Sequence, residues 1–241
     1  MRNKINYSPN FDPNKRSSKQ INFIIFHYTG MKQESEAIKR LTNIQSEVSC
    51  HYLVQKDGAI ITIVPESYIA WHAGKSSWGK YKSLNKYSIG IEISNPGHEF
   101  NYKKFSKKQI SSLLKLSKFL IKKYKINIKN ILGHSDVAPD RKKDPGEKFP
   151  WKYLSQNGVG LWHTVKKREL IKNRKIKTTK ADRESFFNNL FKIGYPSNTN
   201  KERHLTFIIE AFQRRYRQDL IDSKIDQECL LISQKLVEKL N

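Results

Sequence analysis

A short apolar segment that ends in a histidine places the strongest constraint on the fold of this chain. Residues 21–27 read INFIIFH, and a run of this length and composition is typical of a buried strand. The pattern puts His27 at the carboxyl end of that strand, where rigid backbone meets an open loop. Further strands are predicted at residues 52–55, 59–64, 88–93 and 131–132, the first two joined as a hairpin by the turn Lys56-Asp57-Gly58.

Helical periodicity alternates with these strands. Apolar residues recur at helical spacing over 34–45, and over 109–124 they trace one face of a helix whose N-cap is Ser106. Strands interleaved with helices predict an α/β fold with a mixed central β-sheet flanked by helices. Further helical patterns predict a small C-terminal three-helix domain; they cover residues 183–193, 201–216 and 226–240, with a break at 194–198.

The composition excludes several classes of protein. Of the 241 residues, 37% are hydrophobic, so a packed core is expected and wholesale disorder is excluded. No apolar run reaches the roughly 18 residues of a membrane-spanning helix, and residues 1–20 read as a polar, extended arm without a visible secretory signal. Cys50 and Cys229 stand far apart, so neither a disulfide framework nor a thiolate metal site is predicted.

The formal net charge of +24 has two interpretations. One is an anionic partner, such as nucleic acid, a membrane surface or an acidic cell-wall polymer. The other is AT-rich coding DNA, because Lys, Asn and Ile are all abundant and most lysines are scattered. No DNA or RNA recognition motif is visible, so no specific nucleic-acid partner is expected, and the basic segment 165–180 is a hypothetical contact for anionic envelope polymers.

Two histidines and one aspartate have the chemistry of a catalytic zinc site. His27 ends one predicted strand, His134 follows another, and Asp144 comes ten residues later. Two neutral imidazoles and one carboxylate leave the fourth tetrahedral position of Zn²⁺ open for water. Each residue also has a simpler interpretation, because a strand-end histidine often makes a structural hydrogen bond and Asp144-Pro145-Gly146 is a turn sequence.

Longer motifs surround these residues and carry a family resemblance. In chain order they are FHYT (26–29), VSCHYLVQKDG (48–58), VPE (64–66), AWHAGKSSW (70–78), SIGIEISN (88–95) and GHSDVAPDRKKDPGEKFPW (133–151). Over residues 20–162 the chain resembles the zinc N-acetylmuramoyl-L-alanine amidases of the AmpD and AmiD type, a family that includes phage lysozyme-amidases and peptidoglycan recognition proteins. The ending NGVGLW (157–162) and the helical tail look closest to the AmiD branch, whose tail is similar to a peptidoglycan-binding module.

The resemblance implies roles for individual residues of the catalytic machinery. His27, His134 and Asp144 match the three zinc ligands of the family. Glu92 matches the carboxylate that acts as general base and then protonates the leaving amine. Lys142 matches the cation that stabilises the tetrahedral oxyanion. Without the family, Glu92 reads as a strand-end salt-bridge residue and Lys142 as a surface lysine.

The resemblance also implies a set of pocket residues. Trp71 and His72 match the pocket-wall motif WHAG, with Trp71 a candidate surface for stacking a sugar ring. Asn95 is expected to hydrogen-bond a peptide or sugar group. His51 is expected to be a structural residue beside the pocket, not a ligand.

Two positions depart from the family pattern. Some relatives place a tyrosine near the metal just before the equivalent of His51, and here that residue is Cys50. Several AmpD-like enzymes have an arginine, associated with a stem-peptide carboxylate, where this chain has Ser83. Peptide selectivity is therefore expected to be relaxed or to be supplied by another residue such as Arg141.

Together these features predict four segments. Residues 1–20 form an N-terminal arm, 21–164 the zinc amidase catalytic domain, 165–180 a basic linker or solvated helix, and 181–241 a helical, peptidoglycan-binding-like domain. The predicted activity is zinc-dependent hydrolysis of the amide bond between N-acetylmuramic acid, intact or 1,6-anhydro, and the L-alanine of the stem peptide. The alternative is a non-catalytic peptidoglycan-binding module. The AmiD-like features favour the periplasm or cell envelope, whereas the absence of a visible signal favours the cytoplasm.

Overall fold

A mixed β-sheet forms the centre of the structure, as the sequence predicts. The computed structural model describes residues 3–196 and 202–240. Within those residues the strands are β1 (Asn3–Ile5), β2 (Phe11–Asp12), β3 (Phe23–Tyr28), β4 (Tyr52–Val54), β5 (Ile60–Thr62), β6 (Ile69–Ala70), β7 (Ser77–Trp78), β8 (Tyr81–Lys82), β9 (Ser88–Ile93) and β10 (Ile131–Gly133). The central sheet has the spatial order β1-β5-β4-β9-β3-β10, while β2 with β6 and β7 with β8 form small antiparallel pairs.

Helices flank this sheet, and short 3₁₀ turns connect several elements. In the described part of the chain the α-helices are α1 (Glu34–Thr42), α2 (Lys107–Tyr124), α3 (His134–Val137), α4 (Trp151–Gln156), α5 (Lys167–Asn173), α6 (Lys180–Ile193), α7 (Glu202–Tyr216) and α8 (Gln227–Glu238). The predicted cap of α2 is confirmed: Ser106 accepts a hydrogen bond from the Gln109 backbone N–H, and the Gln109 side chain reaches back to the Ser106 backbone.

Strand direction determines which strand ends lie together. β4, β9, β3 and β10 run parallel to one another, whereas β5 runs antiparallel to β4 and forms the predicted hairpin with it. β1 pairs in parallel with β5, so the N-terminal arm adds an edge strand to the sheet. Parallel strands of one sheet need crossover connections, and α2 lies in the connection between β9 and β10, which flank β3.

Each face of the sheet has its own hydrophobic core, and β3 contributes to both. Ile24 and Phe26 point into the core beneath α2, whereas Phe23 and Ile25 point into the opposite one. The second core also contains buried side chains of the C-terminal helices, among them Phe186, Leu190, Phe212, Cys229, Ile232 and Leu236. The C-terminal helices therefore pack directly on the sheet that carries the predicted catalytic residues.

The helix predicted over residues 34–45 is too long. α1 ends at Thr42, and Asn43 adopts extended backbone angles. The side chain of Asn10 donates a hydrogen bond to the Asn43 carbonyl oxygen at 2.8 Å, and Ile44, counted as an apolar helix position, is 67% exposed. A tertiary contact from the N-terminal arm thus occupies a carbonyl that a further helical turn would use.

The C-terminal helices lie close to their predicted positions. α6 begins before the predicted start because the Thr179 side chain accepts a hydrogen bond from the Asp182 N–H and caps the helix. Residues 197–198 of the predicted break, and Lys201, lie outside the described residues.

The segment 165–180 contains α5, which buries no side chain. No helix within 3–196 or 202–240 combines the length and apolarity that a membrane crossing requires.

A partly buried carboxylate joins the sheet to α2. Glu66 accepts hydrogen bonds from the hydroxyls of Tyr52 and Tyr124, and from Lys123 Nζ at 2.7 Å. Burial opposes the ionisation of Glu66, but these three hydrogen bonds outweigh it and hold the pKa of this carboxyl below its usual value. The ionised form is therefore the one that stabilises the fold.

We expect Glu66→Gln to destabilise the protein in a pH-dependent way. A lowered folded-state pKa stabilises the protein above the unfolded pKa of about 4.3, and this contribution is lost as pH falls through the folded value. At pH 7 the substitution should reduce the free energy of unfolding by about 1–3 kcal/mol, and the deficit should shrink below about pH 4. Urea unfolding across this pH range measures both the loss of stability at pH 7 and its decrease at low pH.

Glu238→Gln is the matched control. Glu238 pairs with Lys235 on the surface of α8, with 60% of the carboxylate side chain exposed, so its loss should change stability by less than about 1 kcal/mol. A Glu66→Gln deficit that did not vary with pH would contradict the role given to the ionised carboxylate.

Candidate metal centre and active site

The carboxyl ends of three neighbouring parallel strands meet at one edge of the sheet. In the register of β3 and β9, His27 lies opposite Glu92, and Gly133 of β10 lies opposite Phe26. His134 directly follows Gly133 as the first residue of α3. Parallel pairing therefore brings two histidines and a glutamate, distant in sequence, to the same place.

His27, His134 and Asp144 form the compact cluster that the sequence predicts. His27 Nδ1 lies 3.0 Å from both His134 Nδ1 and Asp144 Oδ2, and His134 Nδ1 lies 3.1 Å from the same oxygen. All three residues are buried, and their ligand atoms lie within 4.8 Å of one another. The loop that carries Asp144 is tied to α3, because the Ser135 N–H donates to the Asp144 carbonyl oxygen at 2.8 Å.

A chain of hydrogen bonds behind His27 determines which of its ring nitrogens carries the proton. The Ser88 hydroxyl donates to the Leu84 carbonyl oxygen at 2.6 Å, so Ser88 Oγ accepts from His72 Nε2 at 3.1 Å. His72 Nδ1 is then unprotonated and accepts from His27 Nε2 at 3.0 Å. His27 Nδ1 consequently presents a lone pair to the cluster.

His134 has the same tautomer for a separate reason. Its Nε2 lies 3.2 Å from the Ala73 carbonyl oxygen, which only accepts hydrogen bonds, so Nε2 carries the proton and Nδ1 is free. Two lone-pair nitrogens and a carboxylate oxygen then converge with no hydrogen between them. This donor set fits a divalent cation such as Zn²⁺, which would turn three mutually repelling acceptors into ligands.

The protonation states suit metal binding. Burial and the neighbouring His134 lower the pKa of His27 to about 4, so its imidazole is neutral near pH 7. Burial also lowers the pKa of His72, with His27 acting in the same direction. For Asp144, burial opposes ionisation, but positive charge on the adjacent His134 and His27 lowers the pKa of the carboxyl below its usual range, so a cation bound in the cluster would likewise keep it ionised. Neutral imidazoles and an ionised carboxylate are the forms that bind metals.

Glu92 lies beside the cluster with one carboxylate oxygen unsatisfied. Its Oε2 is buried and has no hydrogen-bond partner among the described residues. Burial raises the pKa of Glu92 to about 8, the charge of Asp144 acts in the same direction, and the charge of Lys142 opposes both. A carboxyl with this proton affinity can both accept and release a proton near neutral pH.

Lys142 and Lys143 differ in their exposure. Lys142 is half-buried, whereas Lys143 is exposed, although both line the cavity. The charge of Lys142 lowers the pKa of both Glu92 and His27, so this charge acts on the groups at the centre of the site. The structure thus distinguishes two lysines that composition leaves equivalent.

The cluster opens into a cavity of about 430 Å³. Trp71 lines it, and the indole is held by a hydrogen bond from Nε1 to Asp12 Oδ1 of 2.9 Å. Arg141 also lines it and is anchored by donating to the Ala73 carbonyl oxygen at 2.7 Å. His72 faces the cavity too, but its ring nitrogens are both engaged in positioning His27.

Asn95 does not line this cavity, contrary to the substrate contact expected from the sequence. It is 4% exposed, its Nδ2 donates to the Lys103 carbonyl oxygen at 2.8 Å, and its Oδ1 accepts from the Gly97 N–H at 3.0 Å. The amide thus shapes the loop after β9. Ser83 is likewise outside the cavity lining.

His51 and Cys50 are buried structural residues. His51 Nδ1 accepts a hydrogen bond from the Gly90 N–H at 3.0 Å, and the ring lies outside the ligand cluster. The Cys50 thiol donates to the Tyr52 carbonyl oxygen at 3.3 Å, and burial raises its pKa well above the usual value. Position 90 requires glycine, because a Cβ at Gly90 would lie 2.3 Å from the His72 ring.

The sequence did not predict two features of the cavity. Arg40 of α1 lines it, adding to the cations at positions 141–143. Tyr28 and His98 also line it, with the Tyr28 hydroxyl 2.8 Å from His98 Nδ1 and His98 Nε2 3.0 Å from Glu147. Tyr28 follows a predicted ligand, which was an available signal, but Arg40 gave none, because it is one of many basic residues on a helix surface.

Comparison with known proteins identifies the family of this chain. A family model described as N-acetylmuramoyl-L-alanine amidase matches residues 17–147, more than half of the chain. The chain belongs to this amidase family. The predicted resemblance and the predicted enzyme class are thereby confirmed, and the alternative of a non-catalytic module is set aside.

Individual relatives extend the likeness over most of this amidase. AmiD of Escherichia coli K12 is 35% identical over 91% of this chain and 83% of its own length. The solved complex of E. coli AmiD with anhydro-N-acetylmuramic acid-L-Ala-D-gamma-Glu-L-Lys gives a TM-score of 0.80 at 34% identity, covering 91% of this chain and 90% of that one. AmpDh3 of Pseudomonas aeruginosa, solved with anhydromuramic pentapeptide, gives a TM-score of 0.80 at 30% identity, covering 95% and 94%.

We expect His72→Phe to weaken metal binding. The phenyl ring occupies similar space but cannot accept the proton of His27 Nε2, so the tautomer that presents Nδ1 is no longer favoured. Loss of such an outer hydrogen bond typically reduces metal affinity by about 10–100-fold. Competition with a chromophoric chelator measures the Zn²⁺ dissociation constant of each variant.

Ser88→Ala provides a graded comparison, because it removes the outermost hydrogen bond and leaves the His72–His27 contact intact. Its loss of affinity should be smaller than that of His72→Phe. Wild-type affinity in His72→Phe would contradict the positioning role of His72.

Proposed function

We propose that this amidase hydrolyses, with Zn²⁺ as cofactor, the amide bond between the lactyl carbonyl of N-acetylmuramic acid and the L-alanine of the stem peptide. The observation that carries the proposal is the convergence of His27, His134 and Asp144 beside the unsatisfied carboxylate of Glu92. Metal ligands and a proton-transfer group in one cavity are the parts that amide hydrolysis requires.

The relatives support a muropeptide substrate. The AmiD and AmpDh3 structures hold anhydromuramyl peptides, and AmpD of Haemophilus influenzae is named a 1,6-anhydro-N-acetylmuramyl-L-alanine amidase, with 33% identity over 61% of this chain and 88% of its own length. We therefore propose 1,6-anhydro-muropeptides as a substrate, with intact peptidoglycan as the second candidate.

Each residue of the site has a distinct task in this reaction. Zn²⁺, when held by His27, His134 and Asp144, supplies a Lewis acid for water and for the scissile carbonyl. Glu92 takes a proton from the attacking water and delivers it to the leaving L-alanine amine. The Lys142 ammonium stabilises the negative charge that develops on the carbonyl oxygen. With Cys50 where some relatives have tyrosine, Glu92 and Lys142 carry these tasks alone.

The cationic side of the cavity provides a complementary surface for the stem peptide. Arg40 and Arg141 flank the site from separate elements, and the Arg141 guanidinium is anchored to backbone carbonyls at Ala73 and Lys75. Stem peptides carry carboxylates, which pair with guanidinium groups. We assign peptide binding to these arginines, and stacking of the sugar to the exposed part of Trp71.

Substitution of the two catalytic side chains should separate chemistry from metal binding. We expect Glu92→Gln and Lys142→Met each to lower kcat by about 100-fold or more while Zn²⁺ remains bound, because each removes one proton-transfer or oxyanion group. Lys143→Met is the matched control: the same charge is lost from the neighbouring, exposed residue, and kcat should change little. Equal effects of the two lysine substitutions would contradict the role of Lys142.

Removal of the metal should abolish activity. We expect a chelator to stop release of free stem peptide from 1,6-anhydro-muropeptide and from sacculi, and added Zn²⁺ to restore it, as measured by mass spectrometry. His134→Ala should lose both Zn²⁺ and activity, because it removes a ligand. Product formation that persisted in metal-free enzyme would contradict the zinc-dependent reaction, and the ratio of products from the two substrates gives the preference.

A further inference from the structure

We propose that the C-terminal end of α7 and the turn that follows it brace the two segments that carry the proposed metal ligands His134 and Asp144, so that the C-terminal region positions the metal site. The inference rests on the proposed zinc site and goes beyond it, because it gives the helical region a role within the catalytic unit. Arg215 in the last turn of α7 and Gln218, two residues beyond the end of the helix, make the bracing contacts.

Arg215 reaches the segment of His134. Its Nη1 lies 2.5 Å from Asp136 Oδ2 in α3, and its Nη2 donates to the Ile131 carbonyl oxygen of β10 at 2.9 Å. Asp136 is two residues from His134, and its Oδ2 also accepts the Gly133 N–H at 2.7 Å. One guanidinium thus binds both β10, the strand that precedes His134, and α3, the helical turn that contains His134.

Gln218 reaches the segment of Asp144. Its Nε2 donates to the carbonyl oxygens of Glu147 and Phe149, each at 2.7 Å. Both carbonyls belong to the loop that follows the ligand. The two ligand-bearing segments are therefore held by two residues that lie close together in sequence, one in the last turn of α7 and one just after it.

The Arg215 contact is enclosed on all sides. The side chains of Arg215 and Asp136 are 2% and 1% exposed, and the guanidinium lies over the Trp151 ring at 4.2 Å from the ring centroid. Tyr195, which follows α6, donates to the other carboxylate oxygen of Asp136 at 2.7 Å. A buried carboxylate without its guanidinium partner is strongly disfavoured. Replacement of Arg215 by a neutral side chain should therefore force the α3 turn to rearrange.

Arg217, the residue directly after α7, offers a matched comparison. It is also buried and ion-paired, but its partners are Asp222 and Asp226, both in the C-terminal region. It shares none of the partners of Arg215. Removing Arg217 therefore disturbs the helical region without releasing either ligand-bearing segment.

The test compares Arg215→Met with Arg217→Met in the full chain. We expect Arg215→Met to weaken Zn²⁺ binding by about tenfold or more, and Arg217→Met to leave it within about twofold although its melting temperature falls. Chelator competition measures the dissociation constant. In the metal-free proteins, amide hydrogen exchange should accelerate across residues 131–149 in Arg215→Met and not in Arg217→Met.

Two further variants distinguish loss of the bracing contacts from a general loss of folding. Gln218→Ala removes only the contact to the ligand loop, so exchange should accelerate around residues 144–149 with a smaller loss of affinity. Arg215→Lys, which restores the charge, should recover part of the affinity lost in Arg215→Met.

The two proposals fail in different ways. Wild-type protein that bound no Zn²⁺ would overturn the proposed function, and the exchange measurement would still decide the brace. Unchanged exchange across residues 131–149 in Arg215→Met, or equal effects of Arg215→Met and Arg217→Met on Zn²⁺ affinity and exchange, would overturn the brace.

Discussion

Parallel pairing of β3 with β9 and β10 is the constraint on which the site depends. It aligns the carboxyl ends of three strands, so that His27, Glu92 and His134 share one edge of the sheet. A register shift by one residue would send each side chain to the opposite face. The apolar residues of β3, which fill a core on each side of the sheet, therefore also hold the catalytic edge in place.

Burial then determines the chemistry of the groups at that edge. It favours the neutral form of every ionisable group, so it lowers the pKa of His27 and raises that of Glu92. The first effect suits His27 to the proposed metal binding, and the second suits Glu92 to the proposed proton transfer. Asp144 is the exception, because positive charge beside it, on the imidazoles or on a bound cation, outweighs burial and keeps it ionised. A single enclosed environment thus suits both the proposed metal ligands and the proposed proton-transfer group.

The relation between the catalytic region and the C-terminal helices is closer than a division into separate domains would suggest. Side chains from α6, α7 and α8 complete the core on one face of the sheet. Arg215 adds a buried ion pair to Asp136, two residues from the proposed ligand His134. The tail therefore forms part of the scaffold of the site, whereas binding of peptidoglycan by the tail stays a prediction from resemblance.

The sequence by itself determined the element types and the mixed sheet, because apolar periodicity is a local property, and its family motifs picked out His27, His134 and Asp144, which the structure brings together as one cluster. It misplaced the end of α1 and the role of Asn95, and it did not indicate Arg40 or the contact of Arg215. Only the tertiary structure decided these, together with the tautomer of His27. The physical reason is that each depends on a hydrogen bond or charge supplied from elsewhere in the chain: Asn10 to Asn43, His72 to His27, and Arg215 to Asp136. Such partners are specified when helices pack on the sheet, and no local pattern records them.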